Sequence, residues 1–262
     1  MKNIFYASLI FTILISCSSK TEKLGNSNEH TSFTSKEKNE SEIEKRIVDT
    51  DLQEKLEVMN SLYFTKEDGS SFEVKAFLDK KDAVLKVEEK YLEGKTGEYG
   101  TVLFYVFNGK KYASKERFED KKSGKPTFIE RVSFYDKNEK VISTKTRKAF
   151  YEEDLDAQPF ETVDFYDCSI LKAMNALNQE GEFETRFQGY IFNGSSSFLT
   201  VGESKPNGYI SALMVQYNNS TTEKLRKNQE TSIGKKLNLD FQKVTDENGF
   251  EFQVLMSVTE VK

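Results

Sequence analysis

The chain has 262 residues with 38 basic and 43 acidic side chains, a formal net charge of −5 spread along its length. That balance lacks the clustered basic face of a nucleic-acid binder, so no nucleic-acid partner is expected. A single histidine, His30, and two cysteines exclude Ser-His-Asp and Cys-His nucleophilic sites and zinc or copper sites built on His and Cys. No Gly-rich phosphate loop is present and no cofactor is expected.

Met1-Lys2-Asn3 is followed by an apolar run from Ile4 to Ile15, then Ser16 and Cys17. The run is shorter than the roughly 20 apolar residues that cross a bilayer and has the length of a secretory h-region. Leu14-Ile15-Ser16-Cys17 resembles the lipobox of bacterial lipoproteins. The resemblance implies that residues 1–16 are a signal peptide and that Cys17 is the lipidated first residue, joined to diacylglycerol and acylated on its amino group. Several acyl chains satisfy the need for more than one signal in stable membrane anchoring. Ser18-Ser19 in place of a retention aspartate implies the outer membrane. Cys168 would then be the only thiol, and no intramolecular disulfide could form.

Residues 17–40 are polar, with almost no apolar side chain, and read as a disordered tether. From Ser41, Ile43, Ile47, Leu52, Leu56 and Met59 recur at helical spacing and predict a helix or two. From Leu62 the period changes to two. Strands are expected at 72–78, 84–91, 102–107, 111–118, 128–135, 141–150 and 160–166, with Asn108-Gly109 a strong hairpin signal. The expected fold over 41–166 is therefore a helix plus an antiparallel up-and-down meander, closing into a lipocalin-like barrel or forming a curved sheet.

Residues 167–182 predict a connecting helix capped by Asp167, with Ile170, Leu171, Met174 and Leu177 on one stripe and Gly181 at its end. Cys168 would sit in its first turn, where the helix dipole lowers a thiol pKa. Asp167 opposes that effect, and a cysteine is more commonly a small buried hydrophobe. Residues 183–262 then read as three strands, a short helix at 221–227 and a final hairpin turning at 247–249, the element order of an OB-like small β-barrel. This segment carries equal numbers of basic and acidic residues, so its fold class does not bring a nucleic-acid partner with it.

The steps Phe134-Tyr135, Phe150-Tyr151 and Phe165-Tyr166 recur at near-constant spacing and Phe104-Tyr105 resembles them. One Phe-Tyr step per hairpin accounts for this. A sharper expectation is that Tyr105, Tyr135, Tyr151 and Tyr166 share one binding surface able to stack on a sugar or grip a peptide. The run Glu152 to Asp156 offers oxygen ligands for calcium, yet lacks the EF-hand spacing and reads as a solvated turn.

The layout of lipid anchor, tether, meander and OB-like unit resembles NlpE-type envelope lipoproteins, which join a lipocalin-like barrel to an OB domain. The Cys-x-x-Cys pair of those proteins is absent, so no metal or redox role is carried over. The expected function is non-enzymatic: a lipid-anchored binding module for a protein partner or a small apolar ligand. The alternatives are a two-carboxylate enzyme acting on carbohydrate or peptidoglycan, recognised by a cleft holding a Glu/Asp pair, and a lipid-carrying module.

Overall fold

The computed structural model describes residues 29–121 and 124–261. The signal segment 1–16, Cys17 and the tether up to residue 28 lie outside the described residues. Helix α1 (Glu29–Asp51) starts well before Ser41. The stretch 29–40 expected as tether is thus helical, continuing a helix whose later turns are anchored by packing. Ile43 and Ile47, four residues apart, rest on Tyr105, Tyr112 and Ala113. Polar contacts fix the same side of α1. The Tyr105 hydroxyl donates to Asp51 (2.9 Å), Thr50 bonds the Tyr112 hydroxyl (3.0 Å), and Lys145 pairs with Glu40 at 2.8 Å and Glu44 at 3.2 Å.

The helical spacing does not continue through Met59. The chain leaves α1 at Asp51, Lys55 takes a positive φ of 61°, and β1 (Glu57–Asn60) pairs with β3 (Ser71–Leu78). Leu52, Val58 and Met59 remain exposed, so their spacing reflects no buried stripe, and backbone pairing with β3 decides the conformation. β2 (Phe64–Thr65) and β3 open a run of antiparallel neighbours: β4 (Val84–Leu92), β5 (Tyr99–Phe107), β6 (Lys110–Asp120), β7 (Thr127–Tyr135), β8 (Val141–Ala149) and the short β9 (Glu161–Val163). At the β5–β6 turn Asn108 and Gly109 both have positive φ (51° and 73°), the backbone that lets a two-residue hairpin match strand twist.

The molecule is mainly β, and all the strands among the described residues belong to one 14-stranded, mostly antiparallel open sheet. The meander is an open sheet that does not close into a lipocalin-like barrel: β9 ends the strand order with no return pairing among the described residues. Beyond it, α2 (Leu171–Asn178) packs on β3 and β4. Then come β10 (Arg186–Asn193), β11 (Ser196–Gly202), β12 (Ile210–Met214), α3 (Ser220–Lys227), α4 (Gln229–Ser232), β13 (Leu237–Thr245) and β14 (Glu251–Glu260). These strands run β10-β11-β12-β14-β13, with β12 and β14 parallel at Met214–Val254 and a single bridge, Arg186–Lys236, returning to the foot of β10. That is an OB-type strand order, with α3 between the third and fourth strands.

β12 also pairs with β2 through Ile210 and Thr65, so meander and OB-like unit share the sheet. They share a core as well. Phe64 and Phe72 of the meander, Phe183 and Tyr209 form one aromatic group, with Phe72–Phe183 centroids at 4.9 Å and Phe183–Tyr209 at 4.8 Å. Offset ring pairs of this kind add to the stabilisation from burial itself. Leu199, Val201, Leu213, Leu225 and Leu237 extend the core through the OB-like unit.

Candidate functional site

Antiparallel register aligns alternate residues into rows across a sheet face. On the face turned away from α1, one row runs Val74, Glu89, Val102, Glu116, Arg131, Thr146 from β3 to β8. The next runs Phe72, Tyr91, Gly100, Phe118, Ile129, Lys148. Above these two rows lies a groove of about 1080 Å³. Its far wall is the segment Val163–Cys168, and Lys172 of α2 borders one end.

The wall is held by hydrogen bonds to β-strand side chains. Thr144 Oγ1 accepts from the Tyr166 amide (3.0 Å), and Ser133 Oγ donates to the Tyr166 carbonyl (2.7 Å). The Tyr135 hydroxyl accepts from the Cys168 amide (3.1 Å), while Lys111 Nζ donates to Asp167 (2.9 Å) and to the Cys168 carbonyl. Asp167 is therefore not a helix cap. α2 starts at Leu171 with Ile170 as N-cap and no side-chain cap, because the Asp167 carboxylate is committed to Lys111. Cys168 accordingly lies outside the helix's first turn. Burial, with the nearby acids Glu116 and Glu89, pushes the thiol of this partly buried cysteine up to about 12, which makes it a poor nucleophile.

Glu89 is the unusual group in the groove. Its residue is only 8% exposed, and among the described residues its carboxylate has neither a hydrogen bond nor an ion pair. Burial pushes it up to about 7, against the pull of Lys172 and with Glu116 and Glu182 adding to the rise. Glu116, two strands away in the same row, is also raised by burial, but it accepts a hydrogen bond from Arg131 (2.8 Å). The Arg131 guanidinium lies 4.0 Å from the Tyr166 ring and 5.4 Å from that of Phe118. Lys172 Nζ sits 4.3 Å from the Phe72 ring and 3.5 Å from the Tyr209 hydroxyl. Each of these two cations rests on aromatic faces.

Gly100 has one clear purpose. A Cβ there would come within 2.5 Å of the Tyr91 hydroxyl and 2.6 Å of its ring, so its absence lets the Tyr91 ring lie across β5. Tyr91 thereby forms part of the groove floor, beside Glu89 on the same strand face.

The four tyrosines expected on one surface are not brought together. Tyr105 is buried beneath α1 and Tyr135 beneath the wall segment, its hydroxyl shared between Ser114 and the Cys168 amide. Tyr151 is exposed in the turn after β8, and Tyr166 alone of the four lines the groove. Their spacing follows the hairpins, but strand parity and register shifts at Tyr105/Val106 and Phe134/Tyr135 send the side chains apart. The run 152–156 forms a 3-10 turn in which Asp156 accepts from Arg117 and Arg147. No group of three or more His, Cys, Asp or Glu side chains among the described residues is arranged to hold a metal.

On the opposite face Glu130 is buried and receives Arg117 (2.7 Å), Arg147 (2.7 Å) and Lys115 (3.1 Å). Burial alone would raise its carboxyl, but these bonds outweigh it and hold the group below the usual carboxylate range. Each charged group in that cluster has a partner of opposite sign, which marks it as structural and sets Glu89 apart.

The groove residues Glu89, Tyr91, Glu116, Arg131 and Lys172 were not singled out from sequence. A signal existed on β4, where Glu89 shares the face of buried Val87. No family model, no curated protein and no solved structure matches this chain.

Proposed function

We propose that the protein is a lipid-anchored envelope binding module, attached through Cys17, whose groove over β4–β8 takes a polar ligand. The observation that carries this is Glu89: a residue only 8% exposed whose carboxylate has no protein partner among the described residues and opens into a groove large enough for a small molecule. Folding leaves such a group unpaired only at a loss of stability, so a site where ligand supplies the partner is its simplest use. The charged lining favours a polar occupant over the apolar one anticipated from composition, and the shared aromatic core is filled by its own side chains. Attachment rests on the lipobox-like Leu14-Ile15-Ser16-Cys17, and no described helix is long and apolar enough to cross a membrane.

Two measurements test the two parts. Radiolabelled palmitate should enter the wild-type chain and not Cys17→Ala; equal labelling would remove the anchor. Amide NMR titration with a panel of sugars, amines and short peptides should move Glu89, Tyr91 and Tyr166 together for at least one class. A panel that shifts only residues outside the groove would remove the site.

One observation favours a second reading, hydrolysis by two carboxylates. Glu89 and Glu116 stand two strands apart in one row, with backbones roughly 10 Å apart on ordinary strand spacing. Their carboxyls would thus lie near the separation used by inverting glycosidases, with raised Glu89 as the acid. Release of reducing ends from peptidoglycan or oligosaccharides, abolished in Glu89→Gln, would establish this over simple binding.

A further inference from the structure

We propose that the groove binds an organic cation, seating its ammonium or guanidinium group against Glu89 and the ring of Tyr91, and that the occupant is a small aliphatic polyamine. This rests on the groove being a ligand site as argued above, and it names the ligand class. Three independent features converge on it.

The first is the carboxylate itself, on a residue only 8% exposed, without a protein partner among the described residues and opening into the groove. A cationic N–H donor is the group that gains most from such an acceptor, because charge-assisted hydrogen bonds are the strong ones. The second is local charge. Seven carboxylates and four cations line the groove; Arg131 pairs with Glu116 within it and Lys121 pairs with Glu119 from outside it, which still leaves an excess of acid. A concave surface with excess negative charge concentrates cations.

The third is the pattern of rings. Arg131 on Tyr166 and Lys172 on Phe72 each combine a cation with an aromatic face. Tyr91, laid across Gly100, offers the same surface next to Glu89, the most buried of the groove acids without an ion pair. A metal ion fits less well, since no cluster of three or more suitable ligands exists among the described residues. The volume of about 1080 Å³ is that of a small-molecule site.

Lys172 sharpens the prediction. It is the chain's own ammonium nearest in effect to Glu89, yet it lies against Phe72 and the Tyr209 hydroxyl instead of forming an ion pair. It therefore repels an incoming cation without satisfying the acid. Binding should strengthen from pH 6 to pH 8 as Glu89 loses its proton. Glu116 on β6, Arg131 on β7, Lys172 on α2 and Glu182 in the turn after it are the charged groups around that titration, with Tyr91 on its own strand.

The experiment is isothermal titration calorimetry of the full-length chain in detergent with spermidine, a lysine tripeptide and neutral maltotriose. Spermidine is expected to bind, Glu89→Gln to weaken it by tenfold or more, and Lys172→Met to tighten it several-fold. A merely structural Lys172 would not produce that last gain. Spermidine binding that Glu89→Gln leaves unchanged overturns the proposal. Maltotriose binding with no amine binding overturns the cation while keeping the groove as a site. Binding by none of the probes, together with a silent NMR panel, overturns both. A lysine tripeptide that binds far more tightly than spermidine overturns the small-amine occupant and identifies a basic peptide as the source of the same group.

Discussion

Replacing Glu89 by Gln should stabilise the protein above neutral pH and leave it nearly unchanged in mild acid. In the folded chain Glu89 titrates at about 7, against 4.5 for an unperturbed glutamate. Because the folded pKa is the raised one, the native state binds more protons than the unfolded state between those values. Stability therefore falls as pH rises from about 4.5 to 7 and then levels off. A difference of about 2.5 units corresponds to a loss of up to about 3 kcal/mol by pH 8. Gln keeps the shape of the protonated acid and carries no charge, so the variant lacks this slope. Urea denaturation of both proteins at pH 5 and pH 8 measures it, with the two curves near-coincident at pH 5 and Glu89→Gln more stable by about 1–3 kcal/mol at pH 8. An equal difference at both pH values would refute the reasoning, because the effect would then owe nothing to the buried charge.

Glu130→Ala strips three cations of a buried partner and should cost about 3 kcal/mol in the same urea assay. Since burial raises Glu130 but its three partners outweigh that and depress its pKa, the stability it contributes is present above the unfolded value near 4.5 and is lost as pH falls through the lower folded value. Gly100→Ala should push the Tyr91 ring out of the groove floor, lowering stability by about 1–3 kcal/mol and weakening any groove ligand, read by urea melts and calorimetry. With Cys17 blocked or replaced, Cys168 should react with a thiol reagent at pH 8 far more slowly in the folded chain than in urea. Comparable rates would contradict its partly buried, raised-pKa environment.

Most of the strand order was legible because alternation and turn chemistry act locally. Asn108-Gly109 dictates its hairpin, and β3 shows the strict alternation of Phe72, Val74 and Ala76 facing inward. Closure was not legible, since whether a meander meets its own first strand depends on accumulated twist and on what covers β2. Here β12 takes that edge through Ile210 and Thr65, and the sheet stays open. The helix ends were misjudged where tertiary contacts decide them: Met59 belongs to a strand because β3 offers it a partner, and Asp167 leaves its cap for Lys111. The groove was illegible for a similar reason. Glu89, Glu116 and Arg131 lie far apart in sequence and become neighbours only through register, whereas the recurring tyrosines looked related and are separated by it. An acid sharing the inward face of β4 with Val87 was the one local clue.

The most direct test of the groove is carboxyl ¹³C NMR of Glu89 across pH 4 to 9, with and without spermidine. The account predicts a midpoint near 7 for the free protein, moving downward when the ligand's ammonium is bound. A midpoint near the ordinary glutamate value, unmoved by ligand, would contradict it.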